Sequence, residues 1–194
     1  RHRGPDGHGT YFKSKYILSV SLFYMIRNNQ QNQHAIQSAQ NPIAYSYFTA
    51  NAKNGYNYGL EIDSQYLITK NLIIASSLGL LKSWVDSYLL LGQNYGERET
   101  SNSPSYTYNL SLTYKTPWSL TWVIDCYGKD SFYFSPDHNQ IIDGYSLVDA
   151  SVSYKLKNTS ITLWGKNLMD KRYSVKSFYF SLNPVEALAT YEQS

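Results

Sequence analysis

The sequence predicts an all-β fold: a run of long antiparallel strands from the wall of a larger transmembrane β-barrel. Three observations predict it. Apolar and polar residues alternate with a period of two over segments of about 10–15 residues, which sorts them onto the two faces of a strand and would scatter them around a helix. The connections between these segments alternate between very short and long. The chain of 194 residues also carries 20 Tyr, 4 Trp and 7 Phe, yet contains no apolar run of about 18 residues able to cross a bilayer as a helix.

Each segment supports this in turn. Residues 16–27 alternate, though less cleanly than the rest. In 56–68, Tyr56, Tyr58, Leu60, Ile62, Tyr66 and Ile68 share a face, interrupted by Ser64, against Asn57, Gly59, Glu61, Asp63 and Gln65. In 72–86, Leu72, Ile74, Leu78, Leu80 and Trp84 share theirs with Ser76, Lys82 and Asp86. In 106–115, Tyr106, Tyr108, Leu110, Leu112 and Tyr114 oppose Thr107, Asn109, Ser111, Thr113 and Lys115. In 119–129, Leu120, Trp122, Ile124 and Cys126 oppose Ser119, Thr121, Asp125 and Lys129, with Val123 and Tyr127 as exceptions. In 145–156, Val148, Ala150, Val152, Tyr154 and Leu156 oppose Asp149, Ser151, Ser153 and Lys155, and 159–167 is a weaker example. These make about seven strands.

Short links fall at Thr69-Lys70-Asn71, Thr116-Pro117-Trp118 and Lys157-Asn158, and long polar ones at 28–47, 88–104 and 134–144, with a last long segment from 168. Short turns at one end and long loops at the other are the plan of an outer-membrane barrel. Ordinary soluble strands run to about 5–6 residues, shorter than these. Mean hydropathy is only −0.44, as expected where only every second strand residue meets lipid. Tyr56, Tyr106, Tyr114, Trp84 and Tyr154 stand toward strand ends, where ring and hydroxyl suit a membrane–water boundary. About seven strands do not close a barrel, and an open edge in lipid leaves backbone groups unsatisfied, so more strands are expected than these segments provide.

The net charge of +3 is small, and the basic residues are scattered, so no nucleic-acid partner is expected. One cysteine, Cys126, gives no disulfide framework. Residues 1–15, beginning Arg1-His2-Arg3-Gly4-Pro5, are polar and Gly-rich and read as an irregular end without the apolar stretch of an export signal.

Tyr145-Ser-Leu-Val-Asp-Ala-Ser-Val-Ser-Tyr154, a short turn, and then Ile161-Thr-Leu-Trp-Gly-Lys-Asn-Leu-Met-Asp-Lys-Arg-Tyr173 resemble the C-terminal region of TonB-dependent outer-membrane receptors. The element Asn167-Leu168-x-Asp170-x-x-Tyr173 is the most characteristic part. Asn51-Ala-Lys-Asn-Gly-Tyr-Asn-Tyr-Gly-Leu-Glu-Ile62, centred on Gly59-Leu60-Glu61, and Phe23-Tyr24-Met25 before a Gln/Asn-rich stretch are also similar. The resemblance covers 16–194. It implies a barrel of about 22 strands with an N-terminal plug inside. It implies active uptake across the outer membrane, driven by TonB through that plug, of a scarce nutrient such as a ferric siderophore, haem, cobalamin or a glycan. No plug is expected in this chain, and the family's last strand, ending in an aromatic residue, is expected to follow Glu192-Gln193-Ser194. The stretch is therefore not expected to transport by itself.

Chemistry elsewhere is sparse. Asp137-His138 with Ser131 and Ser135 offers the residue types of nucleophilic catalysis, but Ser and Asp are common in any polar loop, and no catalytic residue is assigned. His2, Asp6 and His8 are metal-ligand types in a Gly-rich segment without preorganisation; no metal or cofactor is assigned. Ligand recognition is expected in the outer loops, where Tyr95, Arg98, Lys129, Tyr133 and His138 supply aromatics and cations for a siderophore or sugar. Two other readings stand beside the transporter: a soluble all-β carbohydrate-binding domain, and a small outer-membrane porin or enzyme.

Overall fold

The computed structural model describes residues 15–177 apart from 39, 42, 52, 53 and 91. The described residues form thirteen strands and no helix. In chain order they are β1 (Tyr16–Asn28), β2 (Gln31–Gln37), β3 (Tyr45–Asn51), β4 (Asn54–Thr69), β5 (Leu72–Val85), β6 (Tyr88–Leu90), β7 (Gln93–Tyr95), β8 (Tyr106–Lys115), β9 (Leu120–Lys129), β10 (Phe132–Tyr133), β11 (Ile141–Ile142), β12 (Tyr145–Leu156) and β13 (Thr159–Gly165). Seven of them make one antiparallel sheet in the order β1-β4-β5-β8-β9-β12-β13. The other six pair as three small hairpins, β2-β3, β6-β7 and β10-β11, one within each long connection.

The seven long strands are those the alternation predicts. The long connections differ from the expectation: they are folded hairpins rather than plain polar loops. Strands of two or three residues are too short to show a period, which is why sequence patterning misses β6, β7, β10 and β11. Of the expected irregular end 1–15, residues 1–14 lie outside the described residues, as do the His2, Asp6 and His8 group and the segment beyond 177.

Register carries the alternation across the whole sheet. One row runs Leu22, Leu60, Leu80, Tyr106; another runs Tyr16, Tyr66, Ile74, Leu112, Ile124, Ala150. A third runs Leu72, Tyr114, Trp122, Val152, Leu163. The opposite face carries Ser19, Asp63, Ser77, Asn109 and Tyr127 in one row and Gln65, Ala75, Ser111, Asp125 and Asp149 in the next. A slip of one residue in any strand would exchange its faces, so the agreement of seven strands fixes the register. The exceptions Val123 and Tyr127 lie on this polar face, where the Tyr127 hydroxyl donates to Asp149 at 3.2 Å.

The apolar face is bare. Leu22 is 80% exposed and Trp122 47%, and Leu78, Leu80, Leu110, Ile124 and Tyr154 are exposed with them. Contiguous apolar surface of this extent needs a cover, and a barrel's is lipid. Its interruption at Ser64 is repaired locally: Ser64 Oγ lies 2.8 Å from Ser76 Oγ on the paired strand, so the two hydroxyls satisfy each other. Tyr58 and Tyr66 are eight residues apart on β4; along a strand this is about 27 Å, and a tilt of about 35–45° projects it to about 19–22 Å, within the ~25 Å apolar band of such barrels.

Two glycines make room for rings. A Cβ at Gly59 would lie 2.5 Å from Phe23 Cζ and collide with the Leu80 carbonyl. A Cβ at Gly128 would lie 2.9 Å from Tyr108 Cε1; across it, the Tyr108 hydroxyl donates to Ser146 Oγ at 2.6 Å.

Candidate functional site

The three hairpins stand at the same end of the sheet, because the strands are antiparallel and the short turns β4-β5, β8-β9 and β12-β13 all lie at the other end. There they meet through one buried side chain. His34, on β2 in the first long connection, is 0% exposed. Its Nδ1 lies 2.5 Å from Asp137 Oδ1 in the third connection, and its Nε2 lies 3.1 Å from the Tyr88 hydroxyl in the second. Asp137 Oδ2 accepts from the Ala35 amide at 3.1 Å. Asn32 Nδ2 donates to the Tyr88 oxygen at 3.1 Å. Both ring nitrogens of His34 are thus engaged, Nδ1 by the Asp137 carboxylate and Nε2 by the Tyr88 hydroxyl that also accepts from Asn32. Tyr95 completes the packing, its ring 5.2 Å from His34 and 6.0 Å from Tyr88. Burial pushes the Tyr88 and Tyr95 phenols up, so both stay neutral, and the nearby Asp137 charge acts in the same direction.

Arg98 joins the second and third connections. Its guanidinium carbon sits 3.9 Å from the centre of the Tyr133 ring, and Nη1 donates to the His138 carbonyl at 2.8 Å and to Asn139 Oδ1 at 2.9 Å. Its Nη2 is buried with no hydrogen-bond partner among the described residues. Burial lowers the Arg98 pKa. The Asn102 amide donates to the Tyr133 carbonyl at 2.6 Å, a second tie between the same connections.

Of the five loop residues expected to contact ligand, Arg98, Tyr133 and His138 are brought together. Tyr95 belongs to the neighbouring His34 group. Lys129 stands apart at the end of β9, 4.3 Å from the Phe132 ring centre and 5.3 Å from that of Tyr145. The Asp137-His138 pair does not act as a unit. Asp137 turns to His34, while His138 Nδ1 accepts from the Gln140 amide at 3.2 Å and its ring packs on Phe134. Burial lowers the His138 pKa, favouring its neutral form. Ser131 bonds Asp130, and Ser135 bonds Asp137. Tyr88 lies in the 88–104 loop where recognition residues are expected, but sequence reading missed its partners His34 and Asn32, which lie among other Gln and Asn residues with nothing local to mark them.

The motif at 167–173 closes the outer end of β13. Asn167 and Asp170 adopt left-handed φ of 49° and 50°. The Asn167 side chain clamps Lys171 twice: Oδ1 accepts from its amide and Nδ2 donates to its carbonyl, both at 3.0 Å. The Asn167 amide donates to Asp149 Oδ1 at 2.8 Å, and the Leu168 amide to the Val148 carbonyl at 2.8 Å. Tyr173 packs on Tyr145, ring centres 4.4 Å apart. Gly59, Leu60 and Glu61 lie within β4 on alternating faces.

The family model of the TonB-dependent receptor-like β-barrel matches residues 7–168. The chain belongs to the TonB-dependent receptor β-barrel family. Solved structures of receptor barrels share its fold. The siderophore receptor PiuA from Acinetobacter baumannii is 22% identical with a TM-score of 0.66, over 86% of this chain and 24% of that one. The ferric yersiniabactin uptake receptor FyuA from Yersinia pestis is 16% identical with a TM-score of 0.70, over 88% and 25%. The copper transporter OprC is 14% identical with a TM-score of 0.67, over 84% and 24%. The chain thus spans about a quarter of these barrel proteins. The family is one of outer-membrane receptors and transporters, and this chain forms part of such a barrel.

Proposed function

We propose that this chain is part of an outer-membrane active transporter that takes up a scarce nutrient, with a ferric siderophore as the leading class of cargo. The observation that carries the reading is the seven-strand sheet with one continuous apolar face and one polar face, whose long connections gather at one end. In this reading the apolar face meets outer-membrane lipid, and the polar face lines a lumen that holds a plug supplied by another part of the protein. That plug receives energy from TonB. The outer connections form the ligand-access face, with Arg98, Tyr133, His138, Tyr95 and Lys129 as contact candidates. The motif residues Gly59, Leu60, Glu61, Asn167, Leu168, Asp170 and Tyr173 are assigned a structural role.

Iron chelates fit the cationic and aromatic character of this face. Copper or another nutrient would use the same barrel wall with different loop contacts. A soluble carbohydrate-binding domain is disfavoured by the exposed apolar rows, which would face water.

The test is uptake. The gene is deleted in its host, and accumulation of radiolabelled iron is measured with a panel of ferric siderophores under iron limitation. Loss of uptake of one siderophore, restored by the gene and abolished without TonB, is the expected result. Unchanged uptake of every iron source, with loss of copper, cobalamin or glycan uptake instead, would redirect the cargo. No uptake phenotype of any kind would contradict the transporter reading.

A further inference from the structure

We propose that His34 is the pin of a latch that joins the three outer connections into one body, and that release of the pin opens them together and uncovers Arg98. The inference rests on the reading of these connections as the ligand-access face, and it adds how that face is regulated.

Every pair of connections is tied. The first is tied to the third by His34 and Ala35 on Asp137. The first is tied to the second by His34 and Asn32 on Tyr88. The second is tied to the third by Arg98 on Tyr133, His138 and Asn139. His34 takes part in two of these three ties, and Asp137 also receives the Ser135 hydroxyl. No one connection can move away without breaking bonds to both others.

The closed arrangement is also opposed. Arg98 is half-buried, and its Nη2 is kept from water and unpaired among the described residues; a desolvated, unpaired guanidinium nitrogen is costly. Opening rehydrates it. A charge-assisted, part-buried tie working against an unpaired guanidinium nitrogen favours two discrete states over a soft spring, which is what a switch needs. In the open state the Arg98 guanidinium is uncovered at the ligand-access face, a cation suited to an anionic chelate.

Hydrogen exchange and arginine labelling on the full-length receptor in nanodiscs, without ligand, test the latch whatever the cargo. Amides in 31–37, 88–98 and 132–142 are expected to share one opening equilibrium in the unmodified protein. Phenylglyoxal is expected to modify Arg98 more slowly than the exposed Arg172. In Asp137→Ala, exchange in all three segments and Arg98 labelling are expected to rise together by at least about tenfold, the change in equilibrium supported by a broken charge-assisted hydrogen bond. Amides of β8 stay protected as the control for an assembled barrel. Tyr88→Phe, which removes only a hydroxyl, gives the same pattern at smaller amplitude and serves if Asp137→Ala does not assemble. Three unrelated opening equilibria in the unmodified protein would overturn the proposal. So would a rise confined to the substituted segment, or Arg98 labelling that does not follow exchange. Normal latch behaviour with no nutrient uptake would count against the transport reading alone.

Discussion

Single residues set the details that patterning cannot. Gly59 and Gly128 are fixed by neighbours on adjacent strands: the rings of Phe23 and Tyr108 lie where a Cβ would project. Asn167 works differently, by replacing backbone partners in a turn with its own amide. Asn167→Ala removes both clamps on Lys171 while retaining the left-handed φ, which alanine tolerates less well than asparagine. We expect it to destabilise the 166–173 turn by about 1–3 kcal/mol, read as faster proteolysis or exchange there with β8 and β9 unchanged. Sequence resemblance picked out this residue but did not say what it does, because the partners Asp149 and Lys171 are assigned only by the fold. His34 had no such signal. Its role comes from partners 54 and 103 residues away, and nothing in the chain around it shows that.

At the scale of elements, the long strands were legible because an apolar face and a polar face impose the same period on all of them. Residues 106–115 show it directly: β8 occupies Tyr106–Lys115 as the alternation requires. The small hairpins were not legible, since their residues answer to each other's packing rather than to two distinct solvents. The face assignment makes a paired prediction on β8. Leu110 lies in a row with Ser76 and Cys126 on the apolar face, and Ser111 with Ala75 and Asp125 on the other. In the full-length receptor, Leu110→Arg should cost about 2–4 kcal/mol of assembly, because the charge meets hydrocarbon. Ser111→Arg should cost far less, with Asp125 directly opposite. Folded yield by heat-modifiable gel migration reads both, and equal yields would contradict the facing.

The whole molecule is a wall rather than a body with its own core. Among the described residues the buried apolar side chains are Val85, Tyr88, Phe132, Ile142 and Leu147, and all lie at or near the loop end. Cohesion in the sheet comes from its ladders and from the medium covering its apolar face. The central claim is therefore that this protein resides in a membrane through its strands, and fractionation tests it most directly. Membranes from cells expressing the protein are washed with alkaline carbonate and then extracted with detergent. The protein is expected to stay with the outer membrane through the wash, to leave only with detergent, and to migrate differently in gels before and after heating. A protein recovered in the soluble fraction as a cooperatively folded monomer without detergent would contradict it.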